Sequence, residues 1–350
     1  AALHDNSDKT YAAEHAINGM YYDNLEHLGY AVPESFGLKN FKNTADIEIN
    51  ILRWWQHRIF RNSGVSADGT EIYLDTDWLT SLQSTAYSDR ITWIENAYEF
   101  IDQPGEWYLN RSESKLYYKP DGSMDGKSAT LPVTEQLLVF EGTENITFDG
   151  VKFEDTSWLT PNEIGYNDAQ SGTYAQHNGV WGDVPGAIET HAAKNITITN
   201  SELRNLGIGG IRIGNGSSDC AITNSAIHDI SSSGIFIGNN TGHNHGYCDP
   251  GTDVTGVVVR NNYITRTGLD IFGSSAICAL YTSDTVIDHN EVCYTTYTGI
   301  SLGWGWDWKN APCSGNNTVS NNYIHDTGKT IHDGGSFYSL GLQEGTKVFG

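Results

Sequence analysis

Basic residues are scarce in this sequence. Its 350 residues include 20 lysines and arginines but 43 aspartates and glutamates, which gives a formal net charge of −23 at pH 7. The lysines and arginines form no cluster in the repetitive second half of the chain. A polyanion such as nucleic acid, pectate or alginate would therefore be repelled unless a local basic cleft offset the charge. We expect no nucleic-acid partner.

Other absences narrow the class of protein further. No apolar run is long enough to cross a membrane, so we expect no membrane partner. The sequence has no phosphate-binding loop, no dinucleotide fingerprint and no convincing Ser-His-Asp order, so we expect no cofactor. Charged residues make up only 18% of the chain, whereas glycine (38) and tyrosine (19) are abundant. This composition is typical of an all-β protein with short strands and many turns.

The second half of the chain contains two short segments that alternate. Each copy has apolar residues at every second position, which is the pattern of a strand with one buried face. The spacing between copies varies, as in a solenoid that accommodates insertions as loops. The sequence therefore predicts a parallel β-helix. The first segment occurs at 210–215, 234–239, 276–281 and 299–304, and the second begins at Asn200, Asn224, Asn261, His289 and Asn321.

Four isoleucines hold the same place in the first segment: Ile211, Ile235, Ile277 and Ile300. A one-residue shift would turn the whole apolar set of a strand outward, so we expect all four in one internal stack. Residues 346–350 have the pattern of the first strand of a further coil. We therefore expect more coils, either as a continuation of the chain or on a second polypeptide that completes the solenoid.

Two regions are predicted along the chain. Residues 1–130 are less repetitive and form an N-terminal β-rich region, which we expect to pack on the solenoid or to be inserted in it. The solenoid comprises residues 131–350. A long loop at about 157–184 interrupts it, and loops of this length usually form one side of a binding site.

Local patterns predict three kinds of element within the N-terminal region. Strands are predicted at 47–51 and 72–74. The segments 104–109 and 116–120 flank a polar turn and predict a β-hairpin with aromatic cross-strand pairs. The segment 93–100 predicts a short helix.

The strongest candidate for catalysis is Asp333, which is followed by two glycines at the start of a strand equivalent to the Ile300 strand. A carboxylate beside two glycines has the free space that a sugar ring requires. The alternative is an aspartate that caps its own turn. Asp270, in a loop that leads to another such strand, is a weaker candidate. We expect His332 and Tyr338 to contact the same substrate.

One coil earlier, tryptophans alternate with glycine in the segment 303–308. Exposed aromatic rings beside carboxylates are a common way to stack on sugar faces, so Trp304 and Trp306 are predicted to bind substrate. Asp307 between them is a candidate second carboxylate. The alternative is that the tryptophans fold over and plug a core beneath the loop.

Several polar residues have simpler interpretations. His243, His245 and Asp249 have the composition of a metal loop, but glycine- and asparagine-rich surface loops often hold such residues, and no metal is expected. His228–Asp229 and His325–Asp326 recur at one coil position and are interpreted as hydrogen-bonding groups in turns. Glu291 is expected to be solvated.

Two weak signals agree on an extracellular protein. Acceptor triplets predict glycans at Asn110, Asn215, Asn239 and Asn316. The five cysteines allow two bridges and leave at least one free thiol. The preferred bridge joins Cys220 and Cys248, because both border the loop inserted between neighbouring coils. No secretory leader is seen, so we expect a processed product.

The hairpin at 104–109 and 116–118, the segment 298–306 and Asp333-Gly334-Gly335 occur in an order that resembles glycoside hydrolase family 141. The likeness runs from about residue 45 to the C-terminus. It implies a right-handed parallel β-helix that acts on plant-type glycans, with α-L-fucosidase and xylanase activities in the family. It also implies that Asp333 matches one of two catalytic aspartates. The other belongs to a Tyr-X-Asp-Glu-Gly-like segment that this sequence does not contain.

The predicted function is hydrolysis of a glycosidic bond in a carbohydrate polymer or oligosaccharide by a pair of carboxylates. Two alternatives remain. A β-helical polysaccharide lyase or epimerase would hold a uronate with clustered lysine or arginine, or with a divalent ion. A non-catalytic carbohydrate-binding surface protein would use the same aromatic residues without a second acid.

Overall fold

The chain folds as a right-handed parallel β-helix preceded by a β-rich region. The computed structural model describes residues 16–17, 20–23, 27–75, 91–175, 181–239, 251–305 and 313–350. No helix among these residues is long and apolar enough to cross a membrane.

Three parallel sheets form the sides of the solenoid, and each coil contributes one strand to each sheet, except that the last coil has no strand in sheet C. Sheet A contains Leu138–Glu141, Gly186–His191, Gly209–Ile213, Ile235–Ile237, Ile277–Ala279, Ile300–Leu302 and Phe337–Ser339. Sheet B contains Glu144–Asp149, Lys194–Thr199, Ala221–Thr223, Val258–Arg260, Val286–Asp288, Thr318–Ser320 and Lys347–Phe349. Sheet C contains Lys152–Thr156, Glu202–Leu206, Ala226–Ile230, Tyr263–Thr267, Glu291–Cys293 and Tyr323–His325. A small extra pair joins Val254–Thr255 to Thr282–Ser283.

The predicted isoleucine stack is confirmed. Ile211 pairs with Ile235, Ile235 with Ile277, and Ile277 with Ile300, all in parallel register. Their exposed fractions are 1% or less. Burial of a side chain of this size contributes about 1.5–3 kcal/mol, so the stack is a large part of what holds successive coils together.

The asparagine segments mark the corner between sheets B and C. Their first residues all have left-handed backbone, with φ between 50° and 56°, a conformation that asparagine tolerates better than most residues. Their second residues point inward, and the Asn262 amide donates to Asn290 Oδ1 at 3.0 Å, as Asn290 does to Asn322 at 2.9 Å. Asparagine recurs here because it satisfies both the backbone turn and the buried side-chain ladder.

The N-terminal region and the long loop share one antiparallel sheet. Tyr166 in the loop pairs with Ile59, and Asn167 pairs with Arg58. The strands of this sheet are Ala16–Ile17, Met20–Asp23, His27–Ala31, Glu48–Arg53, Gln56–Val65, Glu71–Leu74, Trp93–Glu95, Tyr166–Gln170, Thr173–Ala175 and Trp181–Asp183. The region also has a separate apolar core, which includes Tyr30, Ile49 and Ile94.

The predicted hairpin is confirmed: Trp107–Asn110 pairs with Lys115–Tyr118. The predicted helix at 93–100 is wrong, because Trp93–Glu95 pairs as a strand with Glu48–Arg53 and only Tyr98–Phe100 forms a 3-10 turn. Other short helices are the 3-10 turns Glu34–Phe36 and Leu38–Asn40 and the α-helix Thr160–Ile164. The division of the chain at residue 130 stays a prediction.

Candidate functional site

The outer face of sheet A carries a row of side chains in register. From coil to coil the row runs Glu189, Arg212, Phe236, Cys278, Ser301 and Tyr338. The members from Glu189 to Ser301 are buried or nearly so, whereas Tyr338 is half-buried. The row thus ends on the coil that also carries Asp333.

Arg212 is held between two carboxylates on this face. It donates from Nη2 to Asp183 Oδ2 at 2.8 Å, and its Nη1 bonds to Glu189 Oε1. All three side chains are at most 11% exposed. With two acidic partners in a buried network, the guanidinium has no spare positive charge for an acidic substrate.

Trp304 is not the exposed sugar platform that the sequence predicted. Its ring is 3% exposed and packs in a cluster with Phe236, Cys278, Leu280 and Tyr281. The flanking residues Gly303 and Gly305 have φ of 83° and 90°, a backbone that turns the chain sharply. The ring therefore covers the outside of sheet A. This agrees with the alternative prediction, in which the tryptophans fold over a core beneath the loop. Trp306 and Asp307 lie outside the described residues.

The Asp333-Gly334-Gly335 segment lies directly on the preceding coil. A Cβ on Gly334 would come within 2.5 Å of Thr298 Oγ1 and 2.7 Å of Tyr297 Cε2. The backbone N–H of Gly335 faces the same Thr298 oxygen at 3.4 Å. Gly334 is thus required for close packing rather than for space above the carboxylate. Asp333 itself is exposed, so an accessible carboxylate sits on a tightly packed backbone.

Tyr297 connects this segment to the long loop. Its hydroxyl accepts from Gln170 Nε2 at 3.2 Å, and burial raises the pKa of Tyr297 to about 12. A phenol that stays neutral over the physiological range serves here as a hydrogen-bonding group. Beside the candidate carboxylate, His332 is exposed and donates from Nδ1 to the Gly328 carbonyl at 2.7 Å, which closes its own turn.

Asp270 lies in the turn that precedes the Ile277 strand. The residue is exposed overall, but its carboxylate accepts from Ser231 Oγ. Loss of solvation raises the pKa of Asp270, and the Ser231 hydrogen bond opposes this only in part. The roles predicted for Asp270, Asp333, His332 and Tyr338 stay predictions.

The structure brings together two titratable residues that the sequence did not single out. The Asp168 Oδ2 atom accepts from the backbone N–H of His57 at 3.0 Å. The His57 ring packs against Trp93 and Phe272, at centroid distances of 5.5 and 4.8 Å, and these two rings also contact each other at 5.6 Å. Burial raises the pKa of Asp168 to about 8 and lowers that of His57 to about 3. No local pattern marks this pair, because its members come from distant segments.

A second surface feature lies in the N-terminal region. A cleft of about 280 Å³ is lined by Lys42, Asn43, Tyr98, Tyr108, Asn110, Ser112, Glu113 and Tyr117. The Tyr98 ring lies edge-on to Tyr117, with centroids 5.1 Å apart, and Lys42 Nζ is 4.0 Å from the Tyr98 centroid. The cleft thus combines aromatic faces with hydroxyl, amide and carboxylate groups.

Several predicted modifications need correction. Cys220 is a free, buried thiol, so it forms no bridge to Cys248, which lies outside the described residues. Asn110 and Asn239 are 9% and 6% exposed, and the Asn239 amide donates to Asn215 Oδ1. Burial leaves no room for a glycan at either asparagine. The other two predicted sites, Asn215 and Asn316, are exposed.

Comparisons with known proteins agree with this fold. The family model described as a right handed beta helix region matches residues 186–346, and no curated protein matches the sequence significantly. A solved glycoside hydrolase is 25% identical, with a TM-score of 0.81 over 95% of this chain and 64% of that chain. The chain therefore spans less than two thirds of the length of that hydrolase.

Two further solved structures give weaker matches. The complex of XylC with xylose is 11% identical, with a TM-score of 0.40 over 95% of this chain and 56% of that one. The alginate lyase from Paenibacillus sp. str. FPU-7 is 14% identical, with a TM-score of 0.24 over 59% and 72%. Neither likeness bears on function.

Proposed function

We propose that this chain is the larger part of a glycoside hydrolase whose carbohydrate substrate lies against the coil that carries Asp333. The observation that supports this most is the likeness to a glycoside hydrolase over 95% of the chain, with a TM-score of 0.81. The exposed carboxylate of Asp333, on a backbone held by Tyr297 and Thr298, is consistent with a positioned catalytic group.

Glycoside hydrolysis needs two carboxyl groups on opposite sides of the scissile bond. One protonates the leaving oxygen, while the other activates water or attacks the anomeric carbon. In this proposal Asp333 is one member of the pair. The second member comes from a further coil, either on a continuation of this chain or on a second polypeptide, or else from Asp307 or Asp270. The separation of the pair would decide the stereochemical course, at roughly 5 Å for retention and 6.5–9.5 Å for inversion.

The proposed substrate is a plant-type glycan that contains xylose or fucose, as the resemblance to family 141 implies, and the proposed location is extracellular. The charge of −23 is consistent with a secreted protein. Intact mass and glycan analysis of Asn215 and Asn316 in the native protein would test the location. Unmodified acceptor sites together with a cytoplasmic fraction would contradict it.

A lyase is less compatible with the described residues, because Arg212 on the outer face of sheet A is already bound by Asp183 and Glu189. The reaction class is tested by the products that the complete protein releases from xylan or fucosylated oligosaccharides. Hydrolysis predicts new reducing ends with no unsaturated sugar. Unsaturated products that absorb in the ultraviolet, formed from a uronate polymer, would replace this proposal with a lyase.

Carbohydrate binding without catalysis is a second candidate, favoured by the tyrosine-lined cleft in the N-terminal region. Its volume of about 280 Å³ suits one sugar ring, and Tyr98 and Tyr117 offer aromatic surface beside polar groups. Titration of oligosaccharides into the protein should show binding that Tyr98→Ala weakens about 10-fold. Binding unchanged in Tyr98→Ala would remove the cleft from consideration. Tyr323→Ala, which alters a solenoid tyrosine that is 64% exposed, is the control.

A further inference from the structure

Three metal-ligating side chains meet on the outer face of sheet C. The strands Glu291–Cys293 and Tyr323–His325 pair in parallel, with Cys293 beside His325. Val292 is fully buried in the core, so the side chains on either side of it point outward. One ligand atom each from Glu291, Cys293 and His325 lies within 4.8 Å of the others.

The His325 ring has the orientation of a metal-binding histidine, with Nδ1 toward a carboxylate and Nε2 toward Glu291. Its Nδ1 lies 3.0 Å from Asp326 Oδ2, and a proton on Nδ1 that donates to this carboxylate leaves the lone pair on Nε2. The Nε2 atom is shielded from solvent and makes no hydrogen bond. Its distance to Glu291 Oε1 is 3.5 Å, longer than a normal hydrogen bond. A carboxylate behind the ring commonly fixes the tautomer of a histidine that binds metal.

The thiol completes a donor set of sulfur, nitrogen and oxygen. Cys293 is free and buried, and its Sγ lies 3.5 Å from Thr265 Oγ1. The Glu291 side chain is 47% exposed, which leaves an approach from solvent. Thiolate, imidazole and carboxylate are the ligands that Zn²⁺ uses, and three protein ligands leave a fourth position for water.

The same face contains a matched arrangement without the thiol. His228 contacts Asp229 at 2.7 Å through Nδ1 and Glu202 at 3.2 Å through Nε2. At the place equivalent to Cys293, beside the histidine in register, stands Arg204. The guanidinium lies 3.8 Å from Glu202 and would repel a cation. The histidine and its two acids therefore form a recurring unit, and only the coil with Cys293 adds a ligand to it.

We propose that Glu291, Cys293 and His325 bind one divalent cation of the zinc class, with water as the fourth ligand. Because the ligands belong to two successive coils, the bound cation links these coils and stabilises the folded solenoid. This site is independent of the hydrolysis proposed for Asp333.

The experiment titrates Co²⁺ and then Zn²⁺ into chelator-treated full-length protein. The proposal predicts one Co²⁺ per chain with a thiolate-to-cobalt absorption band, and a rise in Tm of about 4 °C when Zn²⁺ exceeds Kd about 100-fold. Cys293→Ser should abolish the band, and His325→Gln should weaken binding by at least about 10-fold. His228→Gln, in the matched arrangement, should leave both readouts unchanged.

Circular dichroism of each variant separates loss of binding from loss of folding. If Cys293→Ser does not fold, His325→Gln still tests the metal site. The His325 ring is partly exposed, so its loss should not unfold the coil. No thiolate band in the wild-type protein, or an equal band in Cys293→Ser, would overturn the proposal. Equal affinity in folded His325→Gln would overturn it as well.

Discussion

The solenoid and the N-terminal region bury apolar residues equally well but by different means. In the solenoid, Ile277 contacts its equivalents one coil before and one coil after, Ile235 and Ile300. In the N-terminal region, Ile49 pairs with Phe60 and Ile94, which have no repeated counterparts. In the solenoid, equivalent residues of successive repeats contact each other, so the repeated sequence predicts these contacts. In the N-terminal region the contacts join unlike segments that are distant in the sequence, and no repeat predicts them.

The largest expected effect is a loss of stability when a core isoleucine is truncated, and it can be compared between the solenoid and the N-terminal region. Ile277→Ala and Ile49→Ala each remove a fully buried side chain, and each should lower the free energy of unfolding by about 2–5 kcal/mol. Chemical denaturation followed by circular dichroism measures both. Val139→Ala, at a residue that is 48% exposed, is the control and should change stability by less than about 0.5 kcal/mol. A small loss for Ile277→Ala would contradict the stacked core.

The next effect concerns the contact between the two regions. A Cβ on Gly273 would lie 1.7 Å from Asp168 Oδ2 and 3.1 Å from the Trp55 carbonyl. Gly273→Ala should therefore destabilise the protein by about 1–3 kcal/mol. Gly64→Ala is the matched variant, since its Cβ would meet only a Tyr73 ring atom at 3.4 Å. Equal stability of the two variants would mean that the regions do not depend on this contact.

Asp168, which Gly273 packs against, and its neighbour His57 predict a dependence of stability on pH. The pKa of Asp168 is raised from 3.8 to about 8, so its contribution is complete below pH 3.8 and is lost as pH rises to 8. The pKa of His57 is lowered from 6.5 to about 3, so its contribution is complete above pH 6.5 and is lost as pH falls to 3. The two effects oppose each other where their pH ranges overlap, from pH 3.8 to 6.5, and of these two groups only Asp168 titrates from pH 6.5 to 8.

Stability should therefore fall between pH 6.5 and 8, by at most about 1.4 kcal/mol per pH unit. Asp168→Asn removes the titrating carboxyl and should flatten this part of the profile. Thermal unfolding across the pH range measures the slope. A wild-type slope that persists unchanged in Asp168→Asn would assign the titration to another group.

The smallest expected effect tests the cysteine correction. Loss of a disulfide typically costs about 2–5 kcal/mol, but Cys220 is a free thiol in this structure. Cys220→Ala should cost no more than about 1 kcal/mol, because it removes only one buried sulfur atom. A loss of several kcal/mol, together with a new free thiol on titration, would restore the predicted bridge.

The sequence predicted what repetition makes visible. The isoleucine stack follows from equal places in a repeated segment. The repeat of asparagine was also visible, but its role at left-handed corners came from the structure. Burial of Trp304 could not be predicted, because its neighbours Phe236 and Tyr281 come from other coils. The Asp168–His57 contact was missed for the same reason, since its two residues are 111 positions apart.

The central proposal is that the solenoid, rather than the N-terminal region, carries the catalytic carboxylate. The direct test is kcat of Asp333→Asn in the complete enzyme, on a xylan- or fucose-containing substrate. The amide keeps the shape but cannot transfer a proton, so kcat should fall at least about 100-fold while substrate binding persists. Asp284→Asn, at an exposed turn residue with φ of 53° that asparagine also tolerates, should keep full activity. A kcat near the wild-type value in Asp333→Asn would show that Asp333 only caps its turn.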